Sequence, residues 1–223
     1  MIKAIIHDWD DIVTNSFEAY SRLYFDFGKH FKLKEPTIEG IKSCWGKTIS
    51  QIVFGQWPDL GQDRADKMTW EFIDYLNRKG KTPYQVRIFP DVVEAFERLS
   101  RKFELAILSS GYKPDIEKIY KEMIHPNLAY HKIIVGPPEL KIYKPDPRAF
   151  DSIFNYLDKR GISEKETIYV GDSLIDLMAA QNRRLEFYGV TTGITGKDDF
   201  RIAGLKDNHI VGSFSDIVSL LEN

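Results

Sequence analysis

From Pro90 onward the chain alternates short apolar runs with helix-length amphipathic stretches, and no other feature constrains its fold as tightly. Glu104 to Leu108, Lys132 to Val135, Thr167 to Val170 and Phe187 to Val190 read as strands: brief, apolar and rich in branched or aromatic residues. Between and around them, Asp91 to Arg101, Pro114 to Met123, Pro147 to Lys159 and Leu174 to Arg183 read as helices. Asp91 is a candidate N-cap, Pro114 and Pro147 suit first-turn positions, and Gly161 suits a stop. A Gly-rich loop then leads to a short strand at Ile210-Val211 and a last helix from Ser215. Strands separated by connections of about a dozen residues cannot form tight hairpins and need crossovers. The expected fold is α/β: a Rossmann-like, doubly wound, mainly parallel sheet of right-handed βαβ units with helices on both faces.

Ile2 to His7, an isoleucine-rich run stopped by Asp8, belongs to the same sheet. Between it and Pro90 the texture changes. Phe17, Tyr20, Leu23 (or Tyr24) and Phe27 recur at helical spacing until Gly28, and Thr37 to Ser43, Thr48 to Gln56 and Asp63 to Arg78 continue as helices, with Gly80 and Pro83 as stops. No strand pattern stands out there. The expected organisation is a core of residues 1–14 and 86–223 with a helical insert at 15–85.

Composition narrows the function classes. With 223 residues and 43% hydrophobic content the chain can bury a sizeable core. A net charge of -2 argues against a general nucleic-acid binder. No apolar run approaches the roughly 20 residues needed to cross a bilayer, and the apolar stretch after Met1 is too short for a signal peptide. A cytoplasmic protein, monomeric or homodimeric, acting on a small molecule is the expectation. The one cysteine, Cys44, excludes an intrachain disulfide and any thiolate-rich metal cage, and no base is visible to activate it.

In an open α/β sheet, ligands bind beyond the carboxyl ends of the strands. Those ends carry His7-Asp8-Trp9-Asp10-Asp11, Ser109-Ser110-Gly111, Lys144-Pro145-Asp146-Pro147 through a loop, and Gly171-Asp172-Ser173 with Asp176 following. Each has a structural alternative: a solvated acidic turn, a helix cap, a surface lysine, or a first-turn carboxylate favoured by the helix dipole. Gathered at one edge, carboxylates, hydroxyls and a lysine suit a hard cation holding an anionic group. Oxygens ligate Mg²⁺, while Lys and Ser donate to phosphate oxygens.

The order and strand-end placement of these segments resemble the haloacid dehalogenase superfamily, and more closely its phosphatases with a helical cap, such as phosphoglycolate phosphatase and the related β-phosphoglucomutase. The family's Asp-x-Asp-Gly-Thr/Val stands here as Asp8-Trp9-Asp10-Asp11-Ile12. The strand ending in Ser or Thr matches Leu105 to Ser109, Lys-Pro-x-Pro matches Lys144 to Pro147, and Gly-Asp-Ser followed by Asp matches Gly171 to Asp176. Phe89-Pro90-Asp91-Val92 is similar to the family's return from cap to core. Asp11 replaces the usual glycine, Ile12 the usual Thr or Val, and Asn182-Arg183-Arg184 stands where Ala-Ala-Gly is common.

The resemblance implies a Mg²⁺-dependent phosphatase of small phosphorylated metabolites, phosphoglycolate or sugar phosphates among them. It makes Asp8 the nucleophile that becomes an aspartyl-phosphate, and Asp10 the general acid and base. Asp8, Asp10 through its carbonyl, Asp172 and Asp176 would serve the metal, and Ser109, Ser110 and Lys144 the phosphoryl group. From the insert, Trp45, Gly46, Lys47 and Thr48 are the candidates to face the substrate, with Lys47 as its cation; Tyr20 or Tyr24 would line the cleft. His7 reads as a hydrogen-bonded core histidine. Two alternatives remain at this point: a phosphomutase of the β-phosphoglucomutase type, and a non-catalytic binding module, which Asp11 and Ile12 alone favour.

Overall fold

A computed structural model describes residues 1–80 and 86–222. Its first half runs β1 (Ala4–His7), β2 (Thr14–Asn15), α1 (Phe17–His30), α2 (Ile38–Cys44), α3 (Ile49–Gln56), α4 (Gln62–Arg78) and β3 (Arg87–Ile88). Next come α5 (Val92–Leu99), β4 (Glu104–Leu108), α6 (Lys113–Met123), β5 (His131–Val135) and α7 (Asp151–Asp158). The chain closes with β6 (Thr167–Gly171), α8 (Leu174–Arg183), β7 (Glu186–Val190), α9 (Lys197–Ile202), β8 (Ile210–Val211) and α10 (Asp216–Glu222).

Six strands form one parallel sheet in the order β5-β4-β1-β6-β7-β8. From β1 the sheet grows outward through β4 to β5, then the chain returns to the other side of β1 as β6. That reversal puts a topological switch point at the carboxyl end of β1. Side chains alternate between faces, as the strand period requires. Ile6, Leu108 and Tyr169 pack with Phe154 and Leu157 of α7 and Leu177 of α8. Ile5, Ile107 and Val170 pack on the other face with Phe96 and Leu99 of α5, Ile119 of α6 and Ile217 of α10. Both faces are covered, so the strands read as continuous apolar runs. Among the described residues, no helix is long and apolar enough to cross a membrane.

Helices α1 to α4 pack around their own apolar cluster, with Phe27, Trp57, Phe72 and Leu76 at its centre. The antiparallel pair β2 and β3, with Thr14 opposite Ile88 and Asn15 opposite Arg87, joins this layer to the sheet at both crossings. A two-residue strand shows no alternation, which is why sequence periodicity misses it. Pro83 and residue 85, the expected end of the helical insert, lie outside the described residues.

Several local expectations are corrected. Gly28 does not end α1, which runs two residues further to His30. It is buried, and a Cβ there would come within 3.0 Å of the Trp57 ring, so the glycine permits close helix packing. Asp91 holds the N-cap position of α5 without a capping bond, because its backbone is already helical (φ -92, ψ -9). Its carboxylate accepts from Ser215 instead. Pro147–Phe150 is a 3-10 turn preceding α7, started by the Asp146 side chain accepting from the Arg148 amide. The loop expected after β7 contains α9, whose single buried residue, Phe200, gives no period to read.

Phe27 is fully buried, with ring centroids 4.8 Å from Phe31, 5.2 Å from Trp57 and 5.5 Å from Phe72. Phe27→Ala should destabilise the protein by about 3–5 kcal/mol, through lost burial and the cavity left behind. Urea unfolding checks this, and a loss below about 1 kcal/mol would contradict tight packing of the helical layer.

Candidate active site

Asp8 sits one residue past β1, and its amide donates to the Val170 carbonyl at 3.0 Å, so the ladder with β6 carries it to the sheet edge. One carboxylate oxygen accepts from the Trp9 amide at 2.7 Å and the other from Lys144 Nζ at 2.7 Å. The Lys144 side chain is wholly buried. It also donates to Asp176 Oδ1 at 2.6 Å and to the Tyr169 hydroxyl at 3.1 Å. All three ammonium protons thus have partners. Tyr169 donates to the same Asp176 oxygen at 2.5 Å.

Asp176 lies in the first turn of α8 and completes a reciprocal cap. Its Oδ2 accepts from the Ser173 amide and hydroxyl, while Ser173 Oγ accepts from the Asp176 amide. Asp8, Asp172 and Asp176 each offer an oxygen, all within 4.8 Å of one another. Asp172 Oδ2 is buried with no partner among the described atoms. A Cβ at residue 193 would lie 2.1 Å from that oxygen, so Gly193 leaves the room it needs. Buried, crowded carboxylates with an unsatisfied oxygen fit a hard divalent cation.

The electrostatics agree with that crowding. Burial pushes the Asp8 carboxyl up to about 6, with Lys144 opposing and Asp176 adding to the rise. Burial, then the charges of Asp8 and Asp11, push Asp10 up to about 7. Asp172 is held well above the ordinary carboxylate range by burial and by its neighbours Asp176, Asp11 and Asp8. Burial alone would lower Lys144, but Asp176 and Asp8 outweigh it and raise the ammonium above its usual value.

The other expected site residues are placed as follows. Asp10 lines the cleft beside Asp8, with Oδ1 buried and without a partner among the described residues. Ser109 is fully buried, and its hydroxyl accepts from the Gly111 amide at 2.9 Å. Ser110 lines the cleft but donates to the Gly46 carbonyl at 2.8 Å, across to the helical layer. Lys47 lines the cleft from that layer and is exposed, while Thr48 faces inward as the N-cap of α3. Tyr20 and Tyr24 line the cleft. Cys44 is a half-buried free thiol.

Three contributors were not read from sequence. Tyr169 is one; the signal was available, because a tyrosine inside a buried strand needs a partner for its hydroxyl. Asp11 is the second. It adopts a left-handed conformation (φ 55), which aspartate tolerates better than most residues. Its Oδ1 accepts from the Ser16 and Phe17 amides at 2.9 and 3.1 Å, capping α1, and its Oδ2 accepts from Trp45 Nε1 at 2.8 Å. Trp45 is therefore both packed in the helical layer and tied to the core. The third is a buried chain behind Asp8. Tyr120 bonds His131 Nδ1 at 2.8 Å, His131 Nε2 bonds His7 Nε2 at 2.6 Å, and His7 Nδ1 bonds the Asp8 carbonyl at 2.5 Å. A carbonyl accepts only, so His7 donates there, which makes His131 the donor to His7 and Tyr120 the donor to His131. Burial lowers His7 to about 4, so the ring stays neutral, as a core histidine should.

Comparison with known proteins agrees with this geometry. A family model for the haloacid dehalogenase-like hydrolases matches residues 5–190. A haloacid dehalogenase-like hydrolase domain-containing protein of Arabidopsis thaliana is 37% identical, over 99% of this chain and 84% of its own. A phosphoglycolate phosphatase of Rhodobacter capsulatus is 25% identical, over 86% of each. Among solved structures, one from Bacteroides fragilis, titled as a haloacid dehalogenase-like hydrolase, superposes with a TM-score of 0.83 at 20% identity, covering 97% of this chain and 100% of that one. With the family model spanning most of the chain and the strand-end motifs converging on one edge, this protein belongs to the haloacid dehalogenase-like hydrolase family.

Proposed function

We propose that this hydrolase is a Mg²⁺-dependent phosphatase of small phosphomonoesters that works through an aspartyl-phosphate on Asp8. The observation that carries the reading is the Asp8 carboxylate held at the switch point by Lys144 and the Trp9 amide, beside Asp10 and within 4.8 Å of Asp172 and Asp176. Phosphoglycolate phosphatases among the relatives support the reaction class.

Asp8, the Asp10 carbonyl and Asp172 would hold the cation, with Asp176 behind them; its oxygens are occupied by Lys144, Tyr169 and Ser173. When bound, the ion offsets repulsion between Asp8 and a dianionic substrate. An Asp8 oxygen attacks phosphorus as the bond to the leaving oxygen breaks, and Asp10 gives that oxygen its proton. Asp10 then takes a proton from water as the water attacks the phosphoryl group, the bond to Asp8 breaks, and phosphate leaves. Lys144 and the Ser109 strand end steady the phosphoryl oxygens. The Asp10 environment suits this exchange: Asp10 lines the cleft and burial raises its carboxyl to about 7, whereas both Asp8 oxygens are tied.

Residues 15–85 serve in this reading as a cap over a core of 1–14 and 86–223. Two hydrogen bonds, Trp45 to Asp11 and Ser110 to Gly46, hold the cap segment bearing Lys47 against the cleft. Excluding water there protects the acyl phosphate and strengthens each charge interaction.

Asp8→Asn should lower Mg²⁺-dependent phosphate release from an aryl phosphate by about 10⁴-fold or more, and Asp10→Asn by about 10²–10⁴-fold. Wild-type rates in Asp8→Asn would remove the nucleophile assignment. A second check needs no turnover. Mg²⁺ at about a hundred times its Kd should stabilise the fold by about 2.7 kcal/mol. That raises Tm by about 5–10 °C for a chain of this size. Asp172→Asn should abolish the rise, and an unchanged rise would exclude Asp172 as a ligand.

A further inference from the structure

The cleft beyond the reacting carboxylates has a definite chemical character. Leu23 and Tyr24 of α1, Ile52 of α3 and Ile73 of α4 line it from the cap, and Ile116 of α6 from the core. Each of these is buried. Among the described lining residues, the charged side chains other than Asp8, Asp10 and Asp172 are Lys47 and Asp115. Lys47 is exposed to solvent. Asp115 stands across from the cap on α6, and burial raises its carboxyl to about 6, so negative charge is already disfavoured at that wall.

A second cavity continues past Ile49, Ile73 and Tyr112. Its described polar lining includes Gln62, Asp66 and Thr69, with no Lys, Arg or His among them. Gln62 is bound to Asp66 at 2.7 Å, and the buried Thr69 hydroxyl has no partner among the described residues. Along both chambers the described walls therefore offer one solvated cation to a second anionic group, set against two carboxylates. An anion moved out of water into apolar surroundings without a close partner is strongly disfavoured, whereas methylenes or a ring there gain from burial.

We infer that the substrates this cleft selects are phosphomonoesters of an uncharged, apolar alcohol, alkyl or aryl, in preference to esters whose leaving group carries a carboxylate or a second phosphate. The inference rests on the phosphatase reading above and adds the leaving-group class to it. The alcohol body lies against Leu23, Tyr24, Ile52 and Ile73, the phosphoryl group reaches Asp8, and the alcohol departs with the proton from Asp10. Any polar end belongs at the far side, where the Thr69 hydroxyl stands unpartnered and Asp66 opposes a further negative charge.

The test is kcat/KM of the full chain with saturating Mg²⁺ on ethyl, n-propyl, n-butyl and n-pentyl monophosphate, phenyl phosphate and 2-phosphoglycolate. The value should rise about fourfold per methylene until the apolar chamber fills. n-Butyl and phenyl phosphate should exceed 2-phosphoglycolate by about tenfold or more. Leu23→Ala should flatten the series. Lys47→Met, at an exposed position that threatens folding little, should change the ratio of 2-phosphoglycolate to n-butyl phosphate by less than about threefold. A flat alkyl series, a preference for 2-phosphoglycolate, or a large fall in that ratio on Lys47→Met overturns the leaving-group inference while Asp8-dependent hydrolysis still upholds the phosphatase. If wild type and Asp8→Asn are equally inert on every ester, the phosphatase reading fails and this inference with it.

Discussion

A single buried ammonium between two buried carboxylates organises this molecule. Lys144 bonds Asp8 and Asp176 at 2.7 and 2.6 Å, its side chain wholly removed from solvent. Removing one partner of such a group leaves a naked charge and typically costs about 3–5 kcal/mol. A well-packed apolar trio would be at least as stable, so the arrangement is better explained by what it does to Asp8 than by fold stability. It orients one buried carboxylate and opposes the burial that raises its carboxyl, with Asp172 close enough to need a further positive charge. The same three residues come from three distant parts of the sequence, so the site exists only when the sheet is fully assembled.

That dependence explains why so much of the site was legible. A doubly wound sheet has few ways to be threaded, and each places strand ends at one edge. Once Ile5-Ile6, Leu105 to Leu108 and Ile168 to Val170 are recognised as buried parallel strands, Asp8, Ser109 and Asp172 must meet. Periodicity carries that far and then stops. β2 and β3 are too short to alternate, α9 has one buried residue, and Gly28 looks like a helix stop because its role is contact with a ring remote in sequence. Side-chain bonding was less legible still. Ser110 was expected to meet substrate, yet its hydroxyl is given to the Gly46 carbonyl, an interaction that no local pattern announces.

Asp11 shows how a departure from a motif can be informative. Glycine at that position would supply the left-handed backbone at no steric cost. Aspartate supplies nearly the same geometry and adds a carboxylate, which here caps α1 and receives the Trp45 indole. The residue that turns the chain out of β1 is thus one that ties the helical layer in place. Thr192 also donates to the Asp11 carbonyl, so the loop after β7 is joined to the same turn. Entry into the helical layer and the loop after β7 share one anchor.

The burial of the carboxylates at the cleft belongs together with the character of its walls. Burial of Asp8, Asp10 and Asp172 raises the free energy of their charged forms, and Lys144 opposes that rise most directly at Asp8. Leu23, Tyr24, Ile52 and Ile73 line the same cleft, and in the proposed reaction they form the surface that a leaving group touches. A cap rich in cations would serve anionic alcohols well, but it would draw water in with the charges and weaken the tuning of the acid pair. On the proposed reading, an apolar helical layer receives an apolar alcohol without further desolvation of charge. On the proposed reading, leaving-group preference is set at Leu23 and Ile73, in the same cleft that holds the buried acid pair.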